Sequence, residues 1–196
     1  MPRPSRQDER RREVLPILAQ AFAELGYRKA TTAELARRCD LRENQLYRVW
    51  PDKRAMFIAA IDFLFDLAMQ RWNQLLDADP GDGTTAAERI LAYESHHRGR
   101  SGLYRILFAA LTETEEPRVR AALRRMYRRF HAFILERVHD HRGLGTTDPQ
   151  DQATHAAWAI IGVATIGDIT RELRLLPEPG RRAMMTDCGL ALLNAD

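Results

Sequence analysis

The spacing of apolar residues in positions 32–51 constrains the fold of this 196-residue chain more than any other feature. Leu35 and Ala36 fall on the inner face of a short first helix, and Leu46 and Val49 face back from a second one. Ala36 supplies the small residue that two steeply crossing helices need. This is the spacing of a helix-turn-helix, whose second helix is free to enter a DNA major groove.

The turn between these two predicted helices contains Leu41, which fills it, and Asp40. A turn this tight needs a residue with positive φ, and glycine is the usual choice. Aspartate is among the few other residues that adopt this conformation. We therefore expect Asp40 to have a left-handed backbone.

The second helix separates a buried face from an exposed one. With residues 43–50 helical, Asn44 and Arg48 lie opposite the apolar side, and Gln45 and Tyr47 flank them. Arginine pairs bidentately with guanine, and asparagine or glutamine pairs with adenine, whereas Tyr47 is better placed for a phosphate. The alternative is an ordinary solvated helix face, but the surrounding pattern favours a DNA-reading helix.

Residues 14–56 resemble the tetracycline-repressor (TetR) family of bacterial transcriptional regulators through several linked motifs. The resemblance rests on Phe22, Ala23, Gly26, Tyr27, Thr31, Thr32, Leu35, Ala36, Leu41, Leu46, Tyr47, Trp50, Pro51 and Lys53. It implies that Thr31 and Thr32 start the second helix of a three-helix head. It also implies that Thr32, Tyr47 and Lys53 contact phosphates, while exposed residues of the second helix of the pair, the recognition helix, read bases.

Three positions depart from the family pattern and obscure the operator sequence. Arg42 replaces the small polar residue that usually caps the recognition helix, Asn44 replaces a frequent glycine, and Gln45 replaces a frequent threonine. Losing such a cap costs about 0.5 to 2 kcal/mol, and Asp40 is an alternative cap two residues upstream. The candidate DNA-binding residues are Thr32, Arg42, Glu43, Asn44, Gln45, Tyr47, Arg48 and Lys53.

Positive charge is concentrated in the same part of the chain. Residues 1–54 carry 13 Lys and Arg against 8 Asp and Glu, whereas residues 55–196 carry 17 against 19. A basic domain suits a phosphate partner because counterion release drives sequence-independent binding. We therefore predict a DNA-binding domain at 1–54 with a basic N-terminal arm, and an effector-binding and dimerisation domain at 55–196.

The basic arm consists of Arg3, Arg6, Arg10, Arg11 and Arg12. It either follows the DNA backbone and reaches a minor groove, or is a solvated, frayed terminus. Pro16 lies inside the expected first helix, where a proline removes one backbone hydrogen bond. We expect a kink there or a helix start near Leu15, with a less ordered arm before it.

From Lys53 onward the periodicity is helical and nothing alternates like a strand, which predicts an all-α fold. A three-helix head is followed by a C-terminal helical bundle. The helix that follows the helix-turn-helix is predicted to end near Asp77. The next helices are predicted from a cap at Thr84 or Thr85 to about Arg98, over 103–111, from Pro117 to about His141, and from Pro149 to about Leu175. A last helix follows a turn at 177–180. Loops are predicted at 79–83 and 143–148. Six arginines between positions 118 and 129 are either a second nucleic-acid patch or, as the pattern favours, a solvated, ion-paired face.

The last two helices are the predicted dimer interface. The first of them is rich in small residues, which let helices approach closely, and both are apolar. A two-fold dimer also engages two half-sites about 34 to 36 Å apart. The alternative is that these helices complete a core within one chain.

A ligand-responsive regulator needs a cavity lined by apolar and aromatic side chains with a few polar groups. The candidate effector-binding residues are Tyr93, His97, Tyr104, Phe108, Met126, Phe130 and Trp158. This composition favours a small hydrophobic effector, uncharged or weakly charged, of unknown identity. The alternative for each residue is ordinary core packing.

Several classes of protein are excluded or disfavoured. Cys39 and Cys188 are predicted to be small core residues of a reducing compartment. No apolar run approaches the roughly 20 residues of a membrane span, and acidic residues around the basic N-terminal stretch argue against a signal peptide, so we expect a cytoplasmic protein.

The six histidines lack metal-ligand spacing, and no catalytic motif appears. We therefore expect no metal, no cofactor and no enzyme activity.

These observations predict a homodimeric transcriptional regulator that binds a double-stranded DNA operator. We expect it to be a repressor that a small effector releases from its operator. The effector would shift the long helix that follows the recognition helix and so change the spacing between the DNA-binding heads of the two protomers. The alternative is a helix-turn-helix interaction module that is regulated by a protein partner or binds DNA without an effector.

Overall fold

The computed structural model describes residues 5–77, 81–143 and 152–195, and in these ranges every regular element is an α-helix. The all-α prediction is confirmed. The helices in chain order are α1 (Arg6–Lys29), α2 (Thr32–Arg38), α3 (Glu43–Val49), α4 (Lys53–Leu76), α5 (Ala86–His97), α6 (Arg105–Leu111), α7 (Pro117–Arg142), α8 (Gln152–Glu172) and α9 (Glu178–Leu193). Arg3, residues 79–80 and 144–148 of the two predicted loops, and Pro149 lie outside the described residues.

The first helix corrects the prediction for the basic arm. It begins at Arg6, where the Ser5 Oγ caps it by accepting the Asp8 N–H at 3.1 Å. Pro16 lies inside α1, and non-helical dihedrals occur within the helix only at Gly26, with φ of 72°. The predicted helix start near Leu15 is therefore wrong, as is the less ordered arm for its residues from Arg6 onward, and the dihedrals break at Gly26 rather than at Pro16. The cap and the acidic first turn outweigh the one hydrogen bond that proline removes.

Most later helix ends agree with the sequence signals. Thr85 caps α5 within a capping box, and α7 begins at Pro117. The end of α8 differs, because Arg174 has a φ of 53° and the chain leaves the helix after Glu172 rather than near Leu175. The next helix starts at Glu178, inside the segment predicted as a turn.

The chain forms two compact units, to both of which α4 and α7 contribute. The first comprises Met1–Leu67 and Gly102–Met126, and the second comprises Ala68–Ser101 and Tyr127–Asp196. In the first unit, Phe22 and Phe57 pack edge to face with ring centroids 5.0 Å apart among buried aliphatic side chains. This core holds α1, α2 and α3 together. The predicted functional boundary after residue 54 stays a prediction.

The second unit is built on close approach of α9 to α5 and α8. Its core includes Val138, Ala153, Ala156 and Leu193. Gly189 is buried on α9, and a Cβ added there would collide with the methyl groups of Leu91 on α5. The neighbouring Cys188 is exposed, so the prediction that both cysteines are core residues is wrong for Cys188 and confirmed for Cys39.

Candidate nucleic-acid interface

The helix-turn-helix forms by the local contacts that its sequence predicts. Thr31 caps α2, with its Oγ1 accepting the Glu34 N–H at 3.2 Å. Asp40 has a φ of 51°, as predicted for a turn without glycine. The Leu41 N–H then donates to the Ala36 carbonyl at 2.9 Å. These contacts fix where α3 begins relative to α2.

The recognition helix α3 has the two faces that the sequence predicts. Leu46, Val49 and Trp50 are buried against the unit's core. Asn44 and Arg48 are exposed, and Tyr47 is 44% exposed. Within the described residues the three exposed side chains make no hydrogen bond, so their donors and acceptors are available to DNA.

Gln45 has a structural role at the start of α3. Arg42 is the N-cap residue and its side chain provides no cap acceptor. Instead, the Gln45 Oε1 accepts the Arg42 backbone N–H at 2.8 Å, which is the second half of a capping box. The alternative cap at Asp40 is therefore not used. One lone pair of the Gln45 amide oxygen is therefore engaged in the cap, while its amide donors stay available to a base.

Thr32 and Lys53, two of the residues predicted to contact phosphates, also make hydrogen bonds within the protein. The Thr32 Oγ1 donates to the Glu43 Oε2 at 2.6 Å, joining the first turns of α2 and α3. The Lys53 Nζ donates to the Tyr27 carbonyl at 3.0 Å and lies 4.5 Å from the Tyr27 ring centroid. A lysine ammonium has three donors, so Lys53 can hold this turn and still contact a phosphate.

Charges on α2 are neutralised within the domain. Glu34 accepts from both Arg37 and Arg38 at 2.8 to 2.9 Å, and these hydrogen bonds lower the pKa of Glu34 to about 2. Arg38 also pairs with Glu24. The guanidinium of Arg48 on α3, by contrast, has no such partner among the described residues. Arg48 thus provides a positive charge on the recognition helix that no carboxylate of the described residues neutralises.

The arginine-rich start of α7 supports the ion-paired alternative. Arg125 forms a bidentate pair with Asp62 at 2.7 to 2.9 Å. Arg118 lies 3.6 Å from Asp52, and the Arg120 Nε donates to the Thr114 carbonyl at 2.7 Å. Arg118, Arg120 and Arg125 are therefore held by partners within their own unit.

The seven candidate effector residues are divided between the two units. Tyr104, Phe108 and Met126 belong to the first, and Tyr93, His97, Phe130 and Trp158 belong to the second. Met126 is fully buried, whereas Trp158 is 45% exposed and His97 is also exposed. In the second unit, Tyr93 stacks on His97 at 4.3 Å, and Trp158 stacks on His131 at 4.5 Å. The assignment of these residues to an effector stays a prediction.

Sequence reasoning missed a buried charged cluster in the second unit. Arg98 pairs with Asp168 at 2.8 Å, and the Asp168 side chain is only 4% exposed. A cleft of about 10 Å³ beside them, lined also by His96 and Arg181, has room for about one water molecule. No local sequence signal reveals this pair, because its members are 70 residues apart.

Comparison with known proteins agrees with this geometry. A family model described as bacterial regulatory proteins of the tetR family matches residues 18–60. The nucleoid occlusion factor SlmA of Vibrio campbellii is 30% identical to this chain over 146 residues, covering 70% of the chain and 71% of that protein. The chain belongs to the TetR family. It is thus a DNA-binding regulator, and the helix-turn-helix of α2 and α3 is its DNA-binding motif.

Solved structures share the whole fold of this TetR-family protein. A TetR-family transcriptional regulator from Cytophaga hutchinsonii superposes with a TM-score of 0.76 at 16% identity, covering 97% of this chain and 96% of that one. A transcriptional regulator from Rhodococcus sp. Rha1 superposes with a TM-score of 0.68 at 17% identity, covering 93% and 95%. At such identities the likeness concerns the fold alone.

The described residues lack two other features. None of their helices combines the length and apolar character that a bilayer crossing requires. The same residues contain no group of three or more His, Cys, Asp or Glu side chains arranged to hold a metal ion.

Proposed function

We propose that this protein is a homodimeric transcriptional regulator that reads an operator in double-stranded DNA with the exposed face of α3. The observation that carries the proposal is the contrast between the two faces of that helix. Leu46 is fully buried, whereas the side chains of Asn44 and Arg48 are exposed and make no hydrogen bond within the described chain. Both side chains have the hydrogen-bonding geometry that base edges recognise in the major groove. The site of action would be the cytoplasm, where the operator lies.

The exposed residues divide into those that contact bases and those that contact phosphates. Arg48 and Asn44 read bases, while Tyr47 and Lys53 contact phosphates and set the register of α3. Thr32 joins them when its single hydroxyl donor leaves Glu43 for a phosphate. Arg42 and Glu43 flank the start of the helix, and Gln45 contributes its amide donors. Phosphate contacts give affinity for any sequence, and base contacts give discrimination.

An exposed apolar stripe on α8 and α9 supports the homodimer. Trp158 and Ile166 on α8 are 45% and 44% exposed, and Leu190 on α9 is 36% exposed. Gly162 lies between the first two on α8 and would let a second helix approach closely. Pairing through this stripe would remove apolar surface from water and bring two reading heads onto one operator.

Effector control is the finer part of the proposal. The aromatic side chains of the second unit, such as Tyr93 and Phe130, provide apolar contacts for a small hydrophobic effector. Binding there would shift α4 and change the spacing of the heads, releasing the protein from its operator as a repressor. A coupling of about 1 to 3 kcal/mol gives roughly 5- to 150-fold derepression.

A second candidate follows from the relatives. Several of the matching curated proteins are nucleoid occlusion factors at 28 to 30% identity, among them those of Vibrio campbellii and Vibrio atlanticus. These names support, as a second proposal, a role in nucleoid occlusion, with the helix-turn-helix belonging to an interaction module that is regulated by a protein partner or binds DNA without an effector. Retention of operator binding in a screen of hydrophobic small molecules favours this candidate, whereas release by one of them favours the repressor.

The test of DNA reading compares three single variants of the full chain. Arg48→Ala should weaken operator binding by about 1 to 3 kcal/mol and relax the preference at one base pair, whereas Lys53→Ala should weaken binding to all sequences alike. Arg128→Ala is the matched control, because Arg128 is exposed and lies in the second unit. Fluorescence anisotropy at fixed salt measures affinity for the upstream DNA of the gene and for a scrambled duplex. Equal affinity of the unmodified protein for both duplexes would exclude specific reading.

The test of dimerisation uses two matched charge insertions. Ile166→Glu places a carboxylate in the exposed stripe of α8, while Leu111→Glu places one on an equally exposed apolar residue of the first unit. Sedimentation velocity should show monomers for the first variant and dimers for the second. Dimers in both cases would place the interface elsewhere.

A further inference from the structure

The first turns of α1 contact the end of the recognition helix. The Gln7 Nε2 donates to the Arg48 carbonyl at 2.7 Å, and the Arg11 Nη2 donates to the Val49 carbonyl at 3.4 Å. The partners are 41 and 38 residues apart in sequence. These are tertiary contacts from one helix to the backbone of another.

The contacts satisfy carbonyl groups that α3 leaves unpaired. The last four carbonyls of an α-helix have no partner within the helix. In α3, which has seven residues, the Trp50 N–H takes only the carbonyl of Leu46. Gln7 and Arg11 supply donors for the carbonyls of Arg48 and Val49. The charge of Arg11 also complements the negative end of the helix dipole.

Arg11 makes a second contact at the same point. Its guanidinium carbon lies 5.5 Å from the centroid of the Trp50 ring, and Trp50 is 2% exposed. A cation over an aromatic face adds attraction to the hydrogen bond. Arg11 thus contacts both the last carbonyl of α3 and the aromatic residue that anchors its end in the core.

The geometry requires α1 to be helical from its first residues. Positions 7 and 11 share one helix face because they are four residues apart. Neighbouring arginines are engaged elsewhere, since Arg10 pairs with Glu13 at 3.2 Å and the Arg12 Nε donates to the Asp8 carbonyl at 3.3 Å. The two contacts are therefore specific to one face of α1 rather than general to a basic arm.

We propose that Gln7 and Arg11 are positioning residues that hold the end of α3 and thereby set the orientation of Arg48 for base recognition. The inference rests on the proposed DNA-reading role of α3. Gln7 bonds the backbone of Arg48 itself, so its loss releases the residue that we assign as a reader. A released helix end samples several orientations, which weakens base contacts more than phosphate contacts, because base contacts need aligned hydrogen bonds.

The decisive variant is Gln7→Met. Methionine has nearly the same length and a similar helix propensity, but it donates no hydrogen bond. Since both residues are neutral, the change leaves the count of positive charges facing DNA unchanged. Arg11→Ala is the companion variant, and Arg10→Ala is its control, because it removes the same charge one position away without touching α3.

The probes are an operator duplex enriched from a random library by the unmodified protein and a scrambled duplex of the same composition. Affinities are measured over a salt series with the full chain. Gln7→Met should lower operator affinity about threefold to tenfold and leave scrambled-DNA affinity within twofold. The salt slope should stay unchanged. Arg10→Ala should leave the ratio of the two affinities as in the unmodified protein.

Three results separate the possibilities. An unchanged affinity ratio in Gln7→Met, with its melting temperature preserved, overturns the positioning role. If Arg11→Ala leaves the ratio of operator affinity to scrambled-DNA affinity unchanged and reduces the salt slope by about one, Arg11 is a phosphate contact. That result also contradicts the inference. If the unmodified protein itself shows no preference for the selected duplex, the proposed function fails and the positioning role fails with it.

Discussion

Charged residues in the helix-turn-helix and in the second unit are paired in opposite ways. In α2, Glu34 pairs with Arg37 and Arg38, which are three and four residues further along the same helix; Arg37 is exposed and Arg38 is partly exposed. In the second unit, Arg98 pairs with Asp168, which is 70 residues away and almost fully buried. Exposed local pairs leave the DNA-facing surface adaptable and contribute little to stability. A buried distant pair ties separate helices together.

The environment of the buried pair extends through several helices of the second unit. The Arg98 Nε donates to the Ala164 carbonyl at 2.9 Å, and the Arg171 Nη2 donates to the Arg98 carbonyl at 3.0 Å. Glu94, which lies 3.4 Å from Arg98, accepts from the Trp72 indole at 2.9 Å. Asp168 has one oxygen, Oδ1, without a hydrogen-bond partner among the described residues. The cluster is therefore sensitive to the loss of any member.

The largest expected effect is the removal of the buried cation. Arg98→Met leaves the Asp168 carboxylate buried without its partner, and such a loss costs about 3 to 5 kcal/mol. The matched control is Arg125→Met, which breaks the more exposed pair with Asp62 and should cost at most about 1 kcal/mol. Urea unfolding measures both variants.

The double variant Arg98→Met with Asp168→Leu sharpens this test. It removes both charges and should recover most of the stability lost in Arg98→Met, because no buried carboxylate remains uncompensated. Equal costs for Arg98→Met and Arg125→Met would show that the two pairs do not differ as their burial indicates.

A smaller effect distinguishes the helix caps of the two regions. Thr85 caps α5 through a reciprocal pair with Glu88, and its hydroxyl also lies 2.8 Å from the His141 Nδ1. Thr31 caps α2 by one hydrogen bond to the Glu34 N–H. We expect Thr85→Ala to cost about 1 to 2 kcal/mol and Thr31→Ala about 0.5 to 1 kcal/mol in urea unfolding.

The serine variants of both caps are the controls, because serine keeps the acceptor oxygen. Each should retain most of the stability that alanine removes. If Thr31→Ala costs more than Thr85→Ala, the additional contact with His141 does not strengthen the cap of α5.

The parts of the structure that the sequence predicts are those that local physics determines. Caps such as Thr31 and Thr85, the turn residue Asp40 and the two faces of α3 depend on residues within a few positions. The contacts of Gln7 with α3 and of Arg98 with α8 depend on the tertiary fold, and no spacing rule reveals them. The prediction at Pro16 is wrong because the Ser5 cap, which the proline signal does not reveal, starts the helix ten residues earlier. The prediction for Cys188 is wrong because a helix that packs on one side still exposes the other.

The last prediction concerns the pH dependence of stability, which should have opposite signs for Glu34 and Asp168. Hydrogen bonds from Arg37 and Arg38 lower the pKa of Glu34 from 4.5 to about 2. The contribution of the Glu34 carboxylate to the free energy of unfolding is therefore complete above about pH 5 and is lost as the pH falls towards 2. Burial raises the pKa of Asp168 above 3.8, and the nearby Arg98 offsets only part of that rise. Ionising Asp168 therefore costs more in the folded protein than in the unfolded chain.

The contribution of Asp168 to stability should consequently fall as the pH rises from 3.8 through its folded pKa. Urea unfolding between pH 3 and pH 7 tests this. The quantity compared is the free energy of unfolding of the unmodified protein minus that of Glu34→Gln or of Asp168→Asn. The difference for Glu34→Gln should grow as the pH rises from 3 to 5, whereas that for Asp168→Asn should change in the opposite direction. The same sign in both differences would mean that Arg98 stabilises the Asp168 carboxylate more strongly than burial disfavours it. The two pairs would then differ in their location but not in their electrostatics.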